Sequence, residues 1–330
     1  MMCDKRLSII IPFYNVEQYI AQCLDSVYHQ NIPEEDYEVI CVNDASPDGS
    51  VDIVKRYQKE HSNLILVEHD HNKKLGTARN TGRRVATGKY IWNVDSDDMI
   101  APNCLKNLLD QCEVNDLDLL LIKNKKIVNN QTQSATQYLW NDTLVQSGID
   151  FWINQAIPRL SAIGPVWMLI LKKEYLDCHN VYSPEINMGE DVPYTIASIL
   201  NSSKIKAIND ELYIYRISEI SMTEINYKRP SVEKIYEDSV ISVGAIYQVY
   251  KEYKDYKDAK IAYSLMQIMR YMLSLNLQRI QALNRIQQKR LSKLYKSNFA
   301  KSNHMFAVFN KIDKLSFALY LITNKFRKIK

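Results

Sequence analysis

The chain has 330 residues, 46% of them hydrophobic and 24% charged, with 42 Lys+Arg against 38 Asp+Glu and a formal net charge of +4. That balance excludes a disordered chain, because there is ample apolar material for a buried core. The six cysteines, at 3, 23, 41, 104, 112 and 178, form no CxxC pair, which argues for reduced thiols in a cytosol rather than a disulfide framework or a zinc site.

In chain order, Leu7 to Ile11 reads as a short buried strand ended by Pro12. Asn15 then caps a helix with the apolar face Val16, Ile20, Leu24 and Val27. Tyr37 to Val42 is a second strand, and Val51, Val54 and Tyr57 mark a second helix. Leu64 to Val67 follows as a strand, Thr77 to Ala86 as a helix and Tyr90 to Val94 as a fourth strand. This alternation predicts an α/β fold with a mostly parallel sheet and helices on both faces. Ligands of such sheets lie at the carboxyl ends of the strands. Further on, Asp118 to Lys123 and Trp167 to Lys172 read as strands, and Val192 to Leu200 as a helix opened by Pro193. Beyond Pro230 the pattern is wholly helical.

Neither a leader nor a membrane span is expected. The first apolar run is too short for a secretory segment, and the longest charge-free stretch, residues 127–141, is largely polar. A spanning helix needs about 20 apolar residues. Charge is unevenly spread: residues 251–330 hold 18 Lys+Arg against 4 Asp+Glu, whereas residues 1–250 hold 24 against 34. An acidic body with a basic tail points to an anionic surface, although a solvated helical face would have the same composition. Met305, Val308, Ile312, Leu315, Leu319, Ile322 and Phe326 form one apolar stripe accompanied by lysines and Arg327. Such a helix can lie in a membrane interface. Its rival is packing on the helix around Leu265, Ile268 and Met272, or a dimer contact. The tail carries no nucleic-acid motif, so no nucleic-acid partner is expected.

Several polar clusters punctuate the strand ends. GxGxxG and P-loop fingerprints are absent. Asp95, Asp97 and Asp98 follow the fourth strand directly. Three carboxylates so close repel one another unless a cation offsets them, and Mg²⁺ or Mn²⁺ prefers such oxygen ligands. An acidic turn capping the next helix would use the same residues. Asp44 follows the second strand and can accept a hydrogen bond from a base edge, while Asp48 and Ser50 read as a helix cap. Arg79 near the start of a helix is poor dipole electrostatics and suits an anionic partner. Glu190 and Asp191 precede a helix, as a cap or as a general base. Arg216, with Ser218, Ser221 and Thr223 beyond it, offers a guanidinium and hydroxyls to an anion. The six histidines are scattered and read as structural or exposed.

The joint order of Pro12-Phe-Tyr14-Asn15, Asn43-Asp44, Gly76-x-x-Arg79-Asn80-x-Gly82, Asp95-Ser-Asp97-Asp98, Glu190-Asp191 and Tyr215-Arg216 resembles the family-2 glycosyltransferases of GT-A fold. The resemblance is dense over residues 7–115, looser to about 223 and absent beyond. It implies a nucleotide-binding half over 1–115, an acceptor half over 116–225 and a basic helical extension over 226–330. It also implies that Pro12 and Tyr14 line the nucleotide site, that Asp44 reads the base, and that Asn72 and Arg79 face the nucleotide. Asp97 would hold the metal, with Asp95 near it and the ribose. Asp191 would be the catalytic base beside Glu190, and Arg216 and Ser221 would face the diphosphate. One departure is the turn Asn43-Asp44-Ala45-Ser46, where the family usually has Asp-Asp-Gly-Ser. The implied activity is inverting, metal-dependent sugar transfer, which requires no covalent nucleophile and agrees with the absence of any Ser–His or Cys–His arrangement. The donor would be a nucleotide-diphosphate sugar such as a UDP-sugar, and the acceptor a glycan or lipid-linked acceptor of surface polysaccharide synthesis. The expected location is cytoplasmic, peripheral on the inner face of an anionic membrane. A polyprenyl-phosphate sugar synthase and a non-catalytic membrane-surface scaffold are the alternatives.

Overall fold

The computed structural model describes residues 5–128, 131–134, 139–158, 165–186, 188–217 and 232–280. Its centre is a mixed sheet. Strands β1 (Leu7–Phe13), β2 (Tyr37–Asn43), β3 (Leu64–Glu68) and β4 (Tyr90–Asn93) run parallel in the order β3-β2-β1-β4. Every residue of β1 and β2 is buried, as expected of strands covered on both faces. The covering helices of this half are α1 (Ile20–Tyr28), α2 (Ser50–Glu60) and α3 (Leu75–Val85).

Two details differ from the sequence reading. Pro12 does not end β1; it pairs with Val42 in the parallel register, and the strand continues to Phe13. On the other side β4 pairs with β1 only through Ile10, so the missing N–H of Pro12 interrupts no ladder. Asn15 does not cap α1. It takes a left-handed φ of 56°, and α1 starts only at Ile20 without a side-chain cap.

The second half adds β5 (Met99–Ile100), α4 (Leu105–Val114), β6 (Leu119–Val128), β7 (Gln131–Ser134), β8 (Val145–Gln146) and α5 (Gly148–Phe151). Strand β9 (Leu169–Lys172), α6 (Lys173–Cys178), α7 (Asp191–Leu200) and β10 (Ile205–Arg216) complete it. The sheet continues β4-β9-β6-β10-β5, with β9 antiparallel to both its neighbours and β10 parallel to β6. Trp167 belongs to a 3₁₀ turn ahead of β9 rather than to the strand.

Helices α8 (Val232–Tyr253) and α9 (Ala259–Ile280) follow. α8 packs on α7, and Val243, Ile246, Ile261 and Leu265 join the same hydrophobic cluster as the sheet. Leu265, Ile268 and Met272 are therefore turned to the fold's own core. The apolar stripe of the tail and Ser221 lie outside the described residues. Among those residues no helix is long and apolar enough to cross a membrane. The described cysteines are free, and only Cys178 is exposed.

Candidate active site

The carboxyl ends of β1, β2 and β4 meet two segments from the second half. Phe13 pairs with Asn43, and the Asp44 N–H donates to the Phe13 carbonyl at 3.0 Å. Tyr14, 44% exposed, thus stands beside the buried Asp44, with Pro12 buried below it. Asp44 is heavily engaged. It accepts from the backbone N–H of Lys73 at 2.7 Å and of Lys74 at 2.9 Å, and its Oδ1 lies 2.8 Å from Nδ1 of His69. The other ring nitrogen of His69 lies 3.0 Å from Thr81 Oγ1. Asn72 is exposed and accepts from Lys74 N–H within the same loop. Asp48 acts on the start of α2 by accepting from both N–H and hydroxyl of Ser50.

Helix α3 explains the Gly76-x-x-Arg79-Asn80 pattern. Gly76, Arg79, Asn80 and Arg83 fall at i, i+3, i+4 and i+7, one face of a helix. That face docks the segment leading to the acidic pair. A Cβ on Gly76 would stand 2.3 Å from the Pro184 carbonyl oxygen, so only glycine allows the approach. Asn80 donates to the Ser183 carbonyl at 2.8 Å and accepts from Ser183 N–H at 3.0 Å. Arg83 donates to the Val181 carbonyl and to Asp177.

Arg79 is 3% exposed and gathers three carboxylates. Its Nη1 donates to Glu190 Oε1 at 2.9 Å and to Asp191 Oδ1 at 2.7 Å, and Nη2 donates to Asp95 Oδ1 at 2.8 Å. Burial opposes the guanidinium charge, but Asp191, Asp95 and Glu190 outweigh it and hold the group above its ordinary pKa. Its buried Nε has no partner among the described residues, nor has Asn93 Oδ1. Both residues line one small cavity with Asn80, Arg83, Ile91, Ser183 and Tyr194.

The pair divides by access. The side chain of Glu190 is 7% exposed and that of Asp191 24%. Burial, reinforced by the charge of Asp191, pushes the Glu190 carboxyl well above the usual range.

The acidic turn after β4 lies between these carboxylates and β10. Burial raises Asp95 despite the pull of Arg79. Burial and the charge of Asp95 push Asp97 up to about 6. Asp98 is buried and bonded by Tyr213 OH at 2.7 Å and by Arg216 N–H at 2.8 Å, so it anchors the turn to β10. Arg216 donates through Nε to the Asp97 carbonyl at 3.0 Å and through Nη2 to Gln22 Oε1 at 2.6 Å, with Tyr19 beneath its guanidinium. Gln22 and His69 are partners that local sequence patterns do not mark.

Carboxylates at 95, 97, 98, 190 and 191 outnumber the guanidiniums at 79 and 216 in this region. No group of three or more metal-ligating side chains exists among the described residues. Asp95 and Asp97 alone offer two carboxylates, oxygen ligands of the kind a hard divalent cation takes, and a cation there would need further ligands from outside the protein. The elevated Asp97 carboxyl is the group whose charge such a cation would offset.

The profile of glycosyl transferase family 2 matches residues 8–178. The uncharacterized glycosyltransferase EpsJ of Bacillus subtilis (strain 168) is 33% identical over 224 residues, 67% of this chain and 64% of that protein. The poly(ribitol-phosphate) beta-N-acetylglucosaminyltransferase TarS of Staphylococcus aureus (strain Mu50 / ATCC 700699) is 28% identical over 211 residues, 64% of this chain and 35% of that protein. The match thus spans less than two thirds of either relative's own length. Among solved structures, residues 1–349 of S. aureus TarS in complex with UDP-GlcNAc align with a TM-score of 0.63 at 25% identity, covering 85% of this chain and 74% of that one. The mannosyltransferase PcManGT from Pyrobaculum calidifontis, in complex with GDP-Man and Mn²⁺, aligns at 0.55 and 18% identity over 97% of this chain and 86% of that one, a likeness of fold alone. With the profile covering more than half of its length, the chain belongs to glycosyl transferase family 2.

Proposed function

We propose that the chain transfers a sugar, with inversion, from a UDP-sugar to a hydroxyl of a glycan or lipid-linked acceptor in surface polysaccharide synthesis. The observation that carries the reading is the Arg79 cluster, which joins the turn after β4 to the more exposed carboxylate of the acidic pair. Family membership and the likeness to TarS, a structure with UDP-GlcNAc, support the donor class. Relatives named for poly(ribitol-phosphate) support a polymer acceptor of the cell surface.

In this reading the donor's base lies by Tyr14 and Pro12, with Asp44 and Asn72 in the same loop cluster, and its diphosphate lies over Asp97 and Arg216. The acceptor hydroxyl oxygen forms a bond to the anomeric carbon as the bond from that carbon to the diphosphate oxygen breaks. Asp191 takes the hydroxyl proton, and the nucleoside diphosphate leaves with the bonding pair. A positioned base is worth about 10²–10⁴ in rate. When bound at Asp97 and Asp95, a divalent cation would offset charge developing on the leaving diphosphate. In this reading Arg216 shares that task together with Ser221, which lies beyond the described residues. The transferase unit runs through residue 225, and the extension from 226 carries the basic tail that would touch the inner face of an anionic membrane.

Calorimetric titration with UDP, GDP, CDP and dTDP, with and without Mn²⁺, tests the reading. UDP should bind best, and more tightly with the metal. Absence of binding by every nucleotide would overturn it.

A further inference from the structure

The loop that carries the acidic pair is gripped from two sides, by α3 and by α8. Arg79 holds Glu190 and Asp191 from α3. From the other side, the hydroxyl of Ser242 on α8 donates to the Gly189 carbonyl at 2.8 Å. Ser242 is fully buried. Gly189 has a φ of +78°, and a Cβ there would stand 3.4 Å from the terminal methyl of Met272 on α9. The Met272 sulfur in turn lies 4.0 Å from the Ser242 hydroxyl.

A second tie secures the far end of α7. The Tyr253 hydroxyl donates to the Leu200 carbonyl at 3.0 Å and lies 3.2 Å from Asn201 Oδ1. Gly189 to Leu200 and Ser242 to Tyr253 are both eleven residues apart. Eleven residues make about three helical turns, so Ser242 and Tyr253 share one face of α8. That helix therefore lies along α7 like a splint, fastened at the residue before Glu190 and again where α7 ends.

We propose that α8 is a positioning element of the transfer reaction, with Ser242 as the residue that fixes the Gly189 carbonyl and thereby aims the Asp191 carboxylate. The inference rests on the reading of Asp191 as the base. Gly189 is two residues from Asp191, and its left-handed backbone can relax once its carbonyl loses the hydroxyl. Arg79 alone then holds the carboxylate, through a guanidinium that also serves Asp95. The helices after residue 231 thus act on the chemistry and are more than a support for the tail.

The test measures transfer rate, donor affinity and melting temperature for Ser242→Ala, Met272→Leu and Tyr253→Phe beside Asp191→Asn. Misplacing a reacting group by about 1 Å can cost up to ~10²-fold, so Ser242→Ala should lower kcat by about 10-fold or more while donor Kd stays near wild type. Met272→Leu, which keeps the bulk over Gly189 and removes only a competing acceptor for the single Ser242 hydroxyl proton, should leave kcat near wild type. Tyr253→Phe should lower the melting temperature with kcat retained. Wild-type kcat in Ser242→Ala, or an equal loss of kcat in Tyr253→Phe, overturns the proposal. If Asp191→Asn itself transfers normally, the base assignment fails first. If Asp191→Asn is inactive and Ser242→Ala is not, only the positioning role fails.

Discussion

Replacing Arg79 tests the ion cluster most directly. Its guanidinium makes three charged hydrogen bonds at 2.7 to 2.9 Å with only 3% of the residue exposed. Removing one partner of a buried pair typically costs about 3–5 kcal/mol, because the remaining charge is left uncompensated. Here the Asp95 and Asp191 side chains are each 24% exposed, so water screens part of the loss and the lower end applies. Arg79→Met should therefore destabilise by about 3 kcal/mol. Arg79→Lys keeps the charge but not the fork, and losing one charged bond at about 1.5–3 kcal/mol gives a comparable or smaller loss. Urea unfolding followed by tryptophan fluorescence measures both. Combining Arg79→Met with Asp191→Asn should recover part of the loss, because one of the stranded carboxylates is then neutral. Full stability in Arg79→Met, or no coupling in the double variant, would refute the cluster as the force that holds these segments together.

Asp97→Asn should abolish the Mn²⁺-dependent part of nucleotide binding while leaving the melting temperature nearly unchanged; transfer that persists in EDTA would contradict the metal assignment. Deleting residues 301–330 should release the protein from anionic vesicles but leave donor hydrolysis intact, as should high salt on the full chain. A truncated chain that still sediments with vesicles would place the membrane contact elsewhere.

The parallel half of the fold is legible in the sequence because its strands are short, mostly apolar runs separated by polar loops and amphipathic helices. Pro12 misleads, since its cost depends on whether a neighbouring strand reaches it, and β4 stops at Ile10. Strand direction is equally invisible: Leu169 to Lys172 has the same apolar pattern whether it runs with β4 or against it. The acidic turn at 95–98 is local and can be read locally. The pairing of Arg79 with Asp191 is not, because it joins residues 112 apart and depends on the register of α3 against the loop before α7. The motif hints at it only through the helical spacing of Gly76, Arg79, Asn80 and Arg83, which makes sense once the loop carbonyls are in place. Ser242 has no local signal, being one of two serines within a long helix.

The acidic pair yields a prediction in which rate and stability separate. Burial and the neighbouring Asp191 raise the Glu190 carboxyl well above its ordinary pKa, against the pull of Arg79. The folded state therefore holds this proton more tightly than the unfolded chain. Its stabilising effect is complete below the ordinary glutamate pKa, about 4.3, and is lost as pH rises through the elevated folded value. Glu190→Gln imitates the protonated form permanently. Across that window the variant should lose less stability with rising pH than wild type does, and at neutral pH it should be at least as stable. Transfer should stay within a few-fold of wild type if, as proposed, Asp191, the more exposed carboxylate of the pair, receives the proton. Melting curves at several pH values, beside transfer rates for Glu190→Gln and Asp191→Asn, give the comparison. Equal loss of transfer in both variants would mean that the pair works as one unit, with its proton shared. A larger loss in Glu190→Gln would move the base to the buried carboxylate, and the access argument that favours Asp191 would fall.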